Sequence, residues 1–222
     1  MLPDGPFPPG ELAAQARAGV ASRGAGIRPF MPDQHRIFFG QLPGLFAGVL
    51  DRDGWPRATV SAAAPGLVRS PTPTTLSVAA LPAEADPAFG SFRSDSPIGL
   101  LGLEFETRRR NRANGRIDTI GVKGFSISVT QSFGNCAKYI QVRNQVPDGN
   151  EPAISPTEFS GLDAQARTLI AQTDTLFIAS AAALDSELGG VDISHRGGRP
   201  GFVRIDGDTL TIPDFAGNNY FN

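Results

Sequence analysis

At 222 residues the chain exceeds a typical domain of roughly 100–150 residues, so one large barrel or two smaller units fit its length. Hydrophobic residues make up 40%, with 15 Phe against 2 Tyr and 1 Trp, which is enough to bury a core and excludes wholesale disorder. A formal charge of −2 provides no basic field for nucleic acid. The 26 Gly and 19 Pro are high for a helical bundle and ordinary for short strands joined by tight turns, so a mainly β fold with a few helices is expected. The first 20 residues lack the order of a secretory signal, and no apolar run approaches the ~18 residues that span a bilayer, so a cytoplasmic protein without a membrane partner is expected. Cys136 is the sole cysteine, and His35 and His195 are the only histidines. Disulfides, multi-thiolate metal sites and His-rich zinc sites are therefore not expected. Lys123 and Lys138 are the only lysines. The remaining cations are arginines, suited to bidentate recognition of anions, although genomic base composition produces the same bias.

In chain order, residues 1–30 form an N-terminal arm, Pro/Gly-rich at first and helical over 11–20. Phe38, Phe39, Leu42 and Leu45 recur at three- and four-residue steps, which predicts a helix over 33–45 that ends near Gly44. Strand-like runs follow at 45–50, 57–62, 67–68, 75–81, 98–107, 112–120 and 124–131. They are read as a meander with turns at 51–54 and 70–73 and with Asn114-Gly115 as the strongest hairpin signal. The turn-forming stretch 146–159 is a linker between a first unit, 31–145, and a second, 160–222. The second unit opens on a helix over 160–173 capped by Ser160 with Asp163 three residues on. Strands at 176–182, 191–194, 201–205 and 209–212 follow.

The two units repeat one another. Pro65-Gly-Leu-Val-Arg69 matches Pro200-Gly-Phe-Val-Arg204, Thr75-Leu-Ser-Val78 matches Thr209-Leu-Thr-Ile212, and Leu45-Phe46 matches Leu176-Phe177. The matches stand in order, with length changes only at predicted turns, where they are tolerated. The second copy has no counterpart of 98–131, so it is read as incomplete, either cut short or completed by another chain.

One packing solution written twice exposes chemistry where the copies differ. Thr59, Val60, Ser61, Ala62 and Ala63 align with Ser194, His195, Arg196, Gly197 and Gly198. Glycines weaken a strand unless a ligand or another backbone comes close. The hydroxyl, imidazole and guanidinium beside them suit a ring with carbonyl acceptors or a phosphate. Pro213-Asp-Phe-Ala-Gly-Asn-Asn219 follows a strand. If a helix starts after Gly217, its free N–H groups and the Asn218 and Asn219 amides form an anion-binding corner. A solvated bulge and an ordinary turn are the competing readings, and both strings occurring in one copy favours a site. In the first copy, 107–116 holds five arginines around a hairpin. Strand alternation sends Arg108 and Arg110 to one face and Arg109 to the other, and a solvated edge that deters aggregation competes with ligand binding there. Cys136, beside Lys138, is read as a buried small hydrophobe in preference to an activated thiol.

Ser194-His-Arg-Gly-Gly-Arg-Pro-Gly-Phe-Val-Arg204 and Ile212-Pro-Asp-Phe-Ala-Gly-Asn218 resemble segments of the flavin-nucleotide-binding proteins related to pyridoxamine 5'-phosphate oxidase. Met31-Pro-Asp-Gln-His-Arg36, 107–115 and Phe133-Gly-Asn-Cys-Ala-Lys-Tyr-Ile140 are similar to a branch with two such units, sometimes joined to a ferredoxin-type module. The resemblance implies tandem split β-barrels, the second incomplete in this chain, with FMN held between them. It implies that Ser194, Arg196 and Gly197 line the ring and ribityl chain, that Pro213 and Asp214 lie under the ring edge, and that Gly217, Asn218 and Asn219 lie near the phosphate. Arg110, Lys138 and Tyr139 would approach from the first copy, and His195 or Arg196 would donate to the ring. The expected function is that of an FMN-binding oxidoreductase acting with a small-molecule redox substrate or a nicotinamide donor, as a homodimer or beside a fused ferredoxin-type module. Two alternatives stay open: a non-catalytic module for flavin or another anion such as haem, and the docking half of a longer redox protein.

Overall fold

Apolar residues at alternate positions build the chain into strands, and the computed structural model describes residues 5–24, 26–62, 66–144, 156–182, 184, 188–217 and 220. The elements are α1 (Pro9–Arg17), α2 (Asp33–Gly40), β1 (Gly44–Leu50), β2 (Pro56–Ala62), β3 (Val68–Thr72), β4 (Thr75–Val78), β5 (Pro97–Glu104), β6 (Arg109–Gly121) and β7 (Gly124–Gly134). They continue with α3 (Ala164–Gln172), β8 (Thr175–Ala182), β9 (Gly190–Gly197), β10 (Arg204–Asp206) and β11 (Thr209–Thr211). The fold is mainly β, as expected. Residues 146–155 of the expected linker lie outside the described residues.

Seven strands form one antiparallel sheet in the order β2-β1-β5-β6-β7-β4-β3, which is not a simple meander: β1 pairs with β5, and β4 crosses to pair with β7. Period-two alternation gives the sheet two buried faces. On β5, Ile98 and Leu100 enter the main core with Leu45, Ala47 and Val49 of β1 and with Phe38, Phe39 and Leu42. Gly99 and its odd-numbered neighbours face the other way, toward β9. The sheet is strongly curved around its core. The Arg36 side chain of α2 bonds Ser70 on β3, while a Cβ on Gly102 of β5 would meet Leu42, Phe38 and Phe39. Those two strands are four places apart, ~19 Å in a flat sheet, and one helix of ~10–12 Å diameter touches both.

Several local expectations are corrected. Helix α2 stops at Gly40, short of the expected 45, because Leu42 precedes Pro43, and a residue before proline avoids helical geometry. Asp163, not Ser160, caps α3 by accepting the Ala166 N–H at 2.7 Å. Strand β3 runs through 70–72, with its turn at 73–74. Asn114-Gly115 lies inside β6, next to an irregularity where Thr130 is skipped in the pairing with β7. Gly115 is needed because a Cβ there would collide with the Ser128 carbonyl. The β5–β6 turn falls at 105–108 instead, with Arg108 at φ 57.

The repeat holds in three dimensions. Phe46 lies opposite Val60 as Phe177 lies opposite His195, and Arg69 opposite Ser77 as Arg204 lies opposite Thr211. Gly66 and Gly201 take the same left-handed turn, at φ 95 and φ 85, where only glycine avoids a Cβ penalty. The two hairpins meet at Phe46 and Phe177, whose rings stack 3.7 Å apart. The β8–β9 hairpin then crosses the outer face of β1, β5 and β6 at backbone distance. A Cβ on Gly48 would sit 2.8 Å from the Asp192 carbonyl, and one on Gly99 would collide with Val191. No helix among the described residues is long and apolar enough to cross a membrane.

Candidate functional site

Where β9 crosses β6, alternation places Arg110, Arg112 and Asn114 on the face that meets it. The Arg112 guanidinium donates to Asp192 Oδ1 at 2.9 Å and to Ser194 Oγ at 2.5 Å, and Asn114 Nδ2 donates to the same Asp192 oxygen at 2.7 Å. The buried cation is thus paired and hydrogen-bonded, the condition for keeping a charge away from water. Beside it, Arg110 Nη1 lies 3.3 Å from His195 Nδ1. Arginine has only donors, so Nδ1 accepts and the neutral ring carries its proton on Nε2. Burial above all, then the charges of Arg110, Arg196 and Arg143, push the His195 pKa down to about 4. The imidazole is therefore neutral near pH 7. Burial, followed by Arg112 and Arg196, lowers Arg110 to about 10. Burial and Arg112 also lower Arg196, opposed by Asp214.

Arg110, Arg112, His195 and Arg196 wall a cavity of about 210 Å³, whose other lining residues include Asn135, Cys136, Lys138 and Tyr139 after β7, Pro213 to Phe215, Gly217 and Tyr220. Tyr139 fixes the 213–217 loop: its hydroxyl donates to the Ala216 carbonyl at 3.0 Å and its ring stacks on Phe215 at 5.1 Å. Tyr220 sits between Phe7 and Phe133 at 5.3 and 5.6 Å, and its carbonyl accepts from Gln15 of α1. The N-terminal arm therefore braces one wall.

Nine of the residues expected to bind the cofactor line this cavity: Arg110, Lys138, Tyr139, His195, Arg196, Gly197, Pro213, Asp214 and Gly217. Ser194 lies behind it, buried against Arg112, and Asn218 and Asn219 lie outside the described residues. Gly197 admits the close approach of another backbone, the Tyr139 carbonyl, and Gly198 makes room for the Phe202 ring. One residue differs from expectation. Cys136 is exposed at the cavity wall, not buried. Arg108 stays in the turn and Arg109 stacks over Phe38 at 5.0 Å, leaving Arg110 and Arg112 as the arginines of the run that reach the cavity. Arg112, Asn114, Asn135 and Asp192 were missed. The i, i+2 spacing of 110, 112 and 114 was the available signal. Three buried polar atoms of cavity residues have no partner among the described residues: Arg112 Nε, Asn135 Oδ1 and His195 Nε2.

No family profile and no curated protein matches the chain. Solved structures that resemble it include a tagged HupZ of Group A Streptococcus, 14% identical, with 47% of this chain and 93% of that one covered at a TM-score of 0.35. A histidine-to-alanine variant of HupZ is 12% identical, with 47% and 98% covered at 0.36. Likeness of that degree carries no argument about what this chain binds.

Proposed function

We propose that the cavity binds FMN and that the protein is an FMN-dependent oxidoreductase. The observation that carries this reading is the cationic wall itself, where Arg110, Arg112, Arg196 and Lys138 line one cavity beside three buried polar atoms that have no partner among the described residues. Arg112 Nε–H and His195 Nε2–H are donors and Asn135 Oδ1 is an acceptor, the same donor and acceptor types that a dioxopyrimidine edge with its two carbonyls and one N–H would need. Leaving such buried groups unmade costs about 1–3 kcal/mol each, so a ligand that satisfies them is favoured. Arg110, Arg196 and Lys138 supply the field for a phosphate. At about 210 Å³ the cavity is smaller than the roughly 300–1,000 Å³ of ligand pockets in general, so a ligand of FMN size fills it and extends beyond it. Bound FMN would supply hydride and electron transfer. The chain's own residues orient the ring edge, hold donors at its carbonyls and keep His195 neutral. Haem, the other planar anion considered, fits less well, because an axial bond would need the Nε2 lone pair that this tautomer does not offer.

The test is equilibrium dialysis of the purified protein against FMN, riboflavin and haem, read by visible spectra, followed by anaerobic NAD(P)H titration of the FMN form. Retention of FMN in preference to riboflavin, with bleaching by the nicotinamide, is expected. Failure to retain FMN at micromolar protein overturns the binding reading, and bound flavin that NAD(P)H leaves oxidised overturns the enzymatic one.

A further inference from the structure

Cys136 is the sole cysteine of the chain, and holding a flavin gives its thiol no task. A free cysteine usually packs as a small hydrophobe, yet this one is exposed and stands in the wall of the cavity. The backbone that carries it is fixed on both sides. Arg110 Nε donates to the Cys136 carbonyl at 2.8 Å, and the Tyr139 hydroxyl ties the same segment to Ala216. The thiol is therefore held at the cavity and open to reagents.

Two independent observations give that cavity a preference for an anion. Arg110, Lys138 and Arg196 line it with one carboxylate, Asp214, while the charge of Arg112 is met by Asp192. A concave wall with such an excess of positive charge concentrates anions. Separately, His195 and Arg112 are only 3% and 4% exposed, and His195 Nε2 and Arg112 Nε have no partner among the described residues. Both atoms are donors, so what completes them is an acceptor such as a carboxylate oxygen. Arg110 is also the cation that senses the thiol. Burial, Arg112 and Arg196 lower its pKa to about 10, and the negative charge of a Cys136 thiolate acts in the opposite direction.

We propose that Cys136 is a modification site that exchanges with small anionic disulfides, leaving a carboxylate-bearing thiol bonded to Sγ and seated against Arg110, Lys138 and Arg196. The Cys136 thiolate attacks one sulfur of the incoming disulfide, and the new S–S bond forms as the old one breaks. The second sulfur leaves as a thiolate and takes up the proton that the Cys136 thiol released. Cys136 is oxidised, the departing half is reduced, and the disulfide itself is the oxidant. Nothing in this exchange requires the cavity's ligand to be FMN.

The test offers the flavin-free full chain three disulfides of similar size and different charge: dithiodiglycolate, hydroxyethyl disulfide and cystamine. Adduct formation is followed by mass spectrometry, and each rate is divided by that of the urea-unfolded chain, which has the same thiol without the cavity. At low ionic strength dithiodiglycolate is expected to react at least about tenfold faster than hydroxyethyl disulfide on this scale, and cystamine at least about tenfold slower. In ~1 M salt, where the screening length is ~3 Å, the differences should shrink to about twofold. Lys138→Gln, at an exposed position, and Arg196→Gln should each reduce the anionic preference by at least about twofold, leaving the hydroxyethyl disulfide rate unchanged. Cys136→Ser should form no adduct. At equilibrium in mixed thiol–disulfide buffers, the thioglycolate adduct of the folded chain should be favoured over the mercaptoethanol adduct by about tenfold relative to the unfolded chain. Equal normalised rates for the three disulfides overturn the proposal, as does an anionic preference that neither salt nor the two substitutions diminish. Equal adduct stabilities overturn the seating against the three cations.

Discussion

Asp192→Ala removes the carboxylate that Arg112 pairs with while leaving the guanidinium where little water can replace it, since the two side chains are 5% and 15% exposed. Breaking a buried pair from one side costs about 3–5 kcal/mol, because the remaining charge is uncompensated. The Asn114 amide, which donates to the same oxygen, also loses its acceptor. For a chain of this size about 2–4 °C in Tm accompanies each kcal/mol, so a fall of about 6–20 °C is expected. Asp192→Asn keeps an oxygen for both donors and should lose less. Asp192→Leu combined with Arg112→Met removes both charges and should recover most of the stability, since apolar replacement of a buried pair is often neutral or better. Urea midpoints and calorimetry for the three variants against wild type measure these losses. A loss below about 1 kcal/mol for Asp192→Ala, or a double variant as unstable as that single one, would refute the view that this pair is desolvated and anchors β9 to β6.

Two titrations oppose each other. Burial, reinforced by Asp192 and opposed by Arg112, raises the Glu11 pKa from 4.5 to about 7, so its contribution falls as pH rises through that window, because the folded state holds the proton more tightly. His195, lowered from 6.5 to about 4, loses stability as pH falls from 6.5 toward 4. Glu11→Gln should therefore make the urea midpoint rise with pH between 4.5 and 6.5 relative to wild type, and His195→Asn should make it fall; unchanged slopes would contradict the assigned environments. Gly197→Ala places a Cβ into the Tyr139 carbonyl and should destabilise by about 1–3 kcal/mol or more, while Gly190→Ala, with open space around it, should be within about 0.5 kcal/mol of wild type in the same urea titration. Arg196→Ala should weaken FMN retention by at least about tenfold, the loss of one charge-assisted contact, and leave riboflavin retention nearly unchanged. Ala62→Gly at the matching strand should alter neither, and equal losses for both variants in equilibrium dialysis would show that the copies are equivalent in binding.

Local patterns were readable where the force that shapes them is local. The Phe38-Phe39-Leu42 stripe marked α2, and the runs at 45–50, 57–62 and 176–182 marked strands, because burial of one face imposes its period on the sequence. Asn114-Gly115 misled because the same dipeptide serves a tight turn and a close backbone crossing, and only the position of Ser128 distinguishes them. Cys136 misled for a similar reason: its neighbours in sequence do not say which side of the cavity wall it faces.

The amino-acid sequence by itself determined the mainly β character, the duplicated helix–hairpin unit and the two polar strings, because these rest on composition, periodicity and repetition within a few dozen residues. The tertiary structure alone decided that β1 pairs with β5 and that β9 crosses β6, bringing Arg112 to Asp192 across 80 residues of chain. It also decided that His195 is neutral with its proton on Nε2. Those features depend on which distant groups share a dry volume, and no local periodicity encodes a contact between residues so far apart.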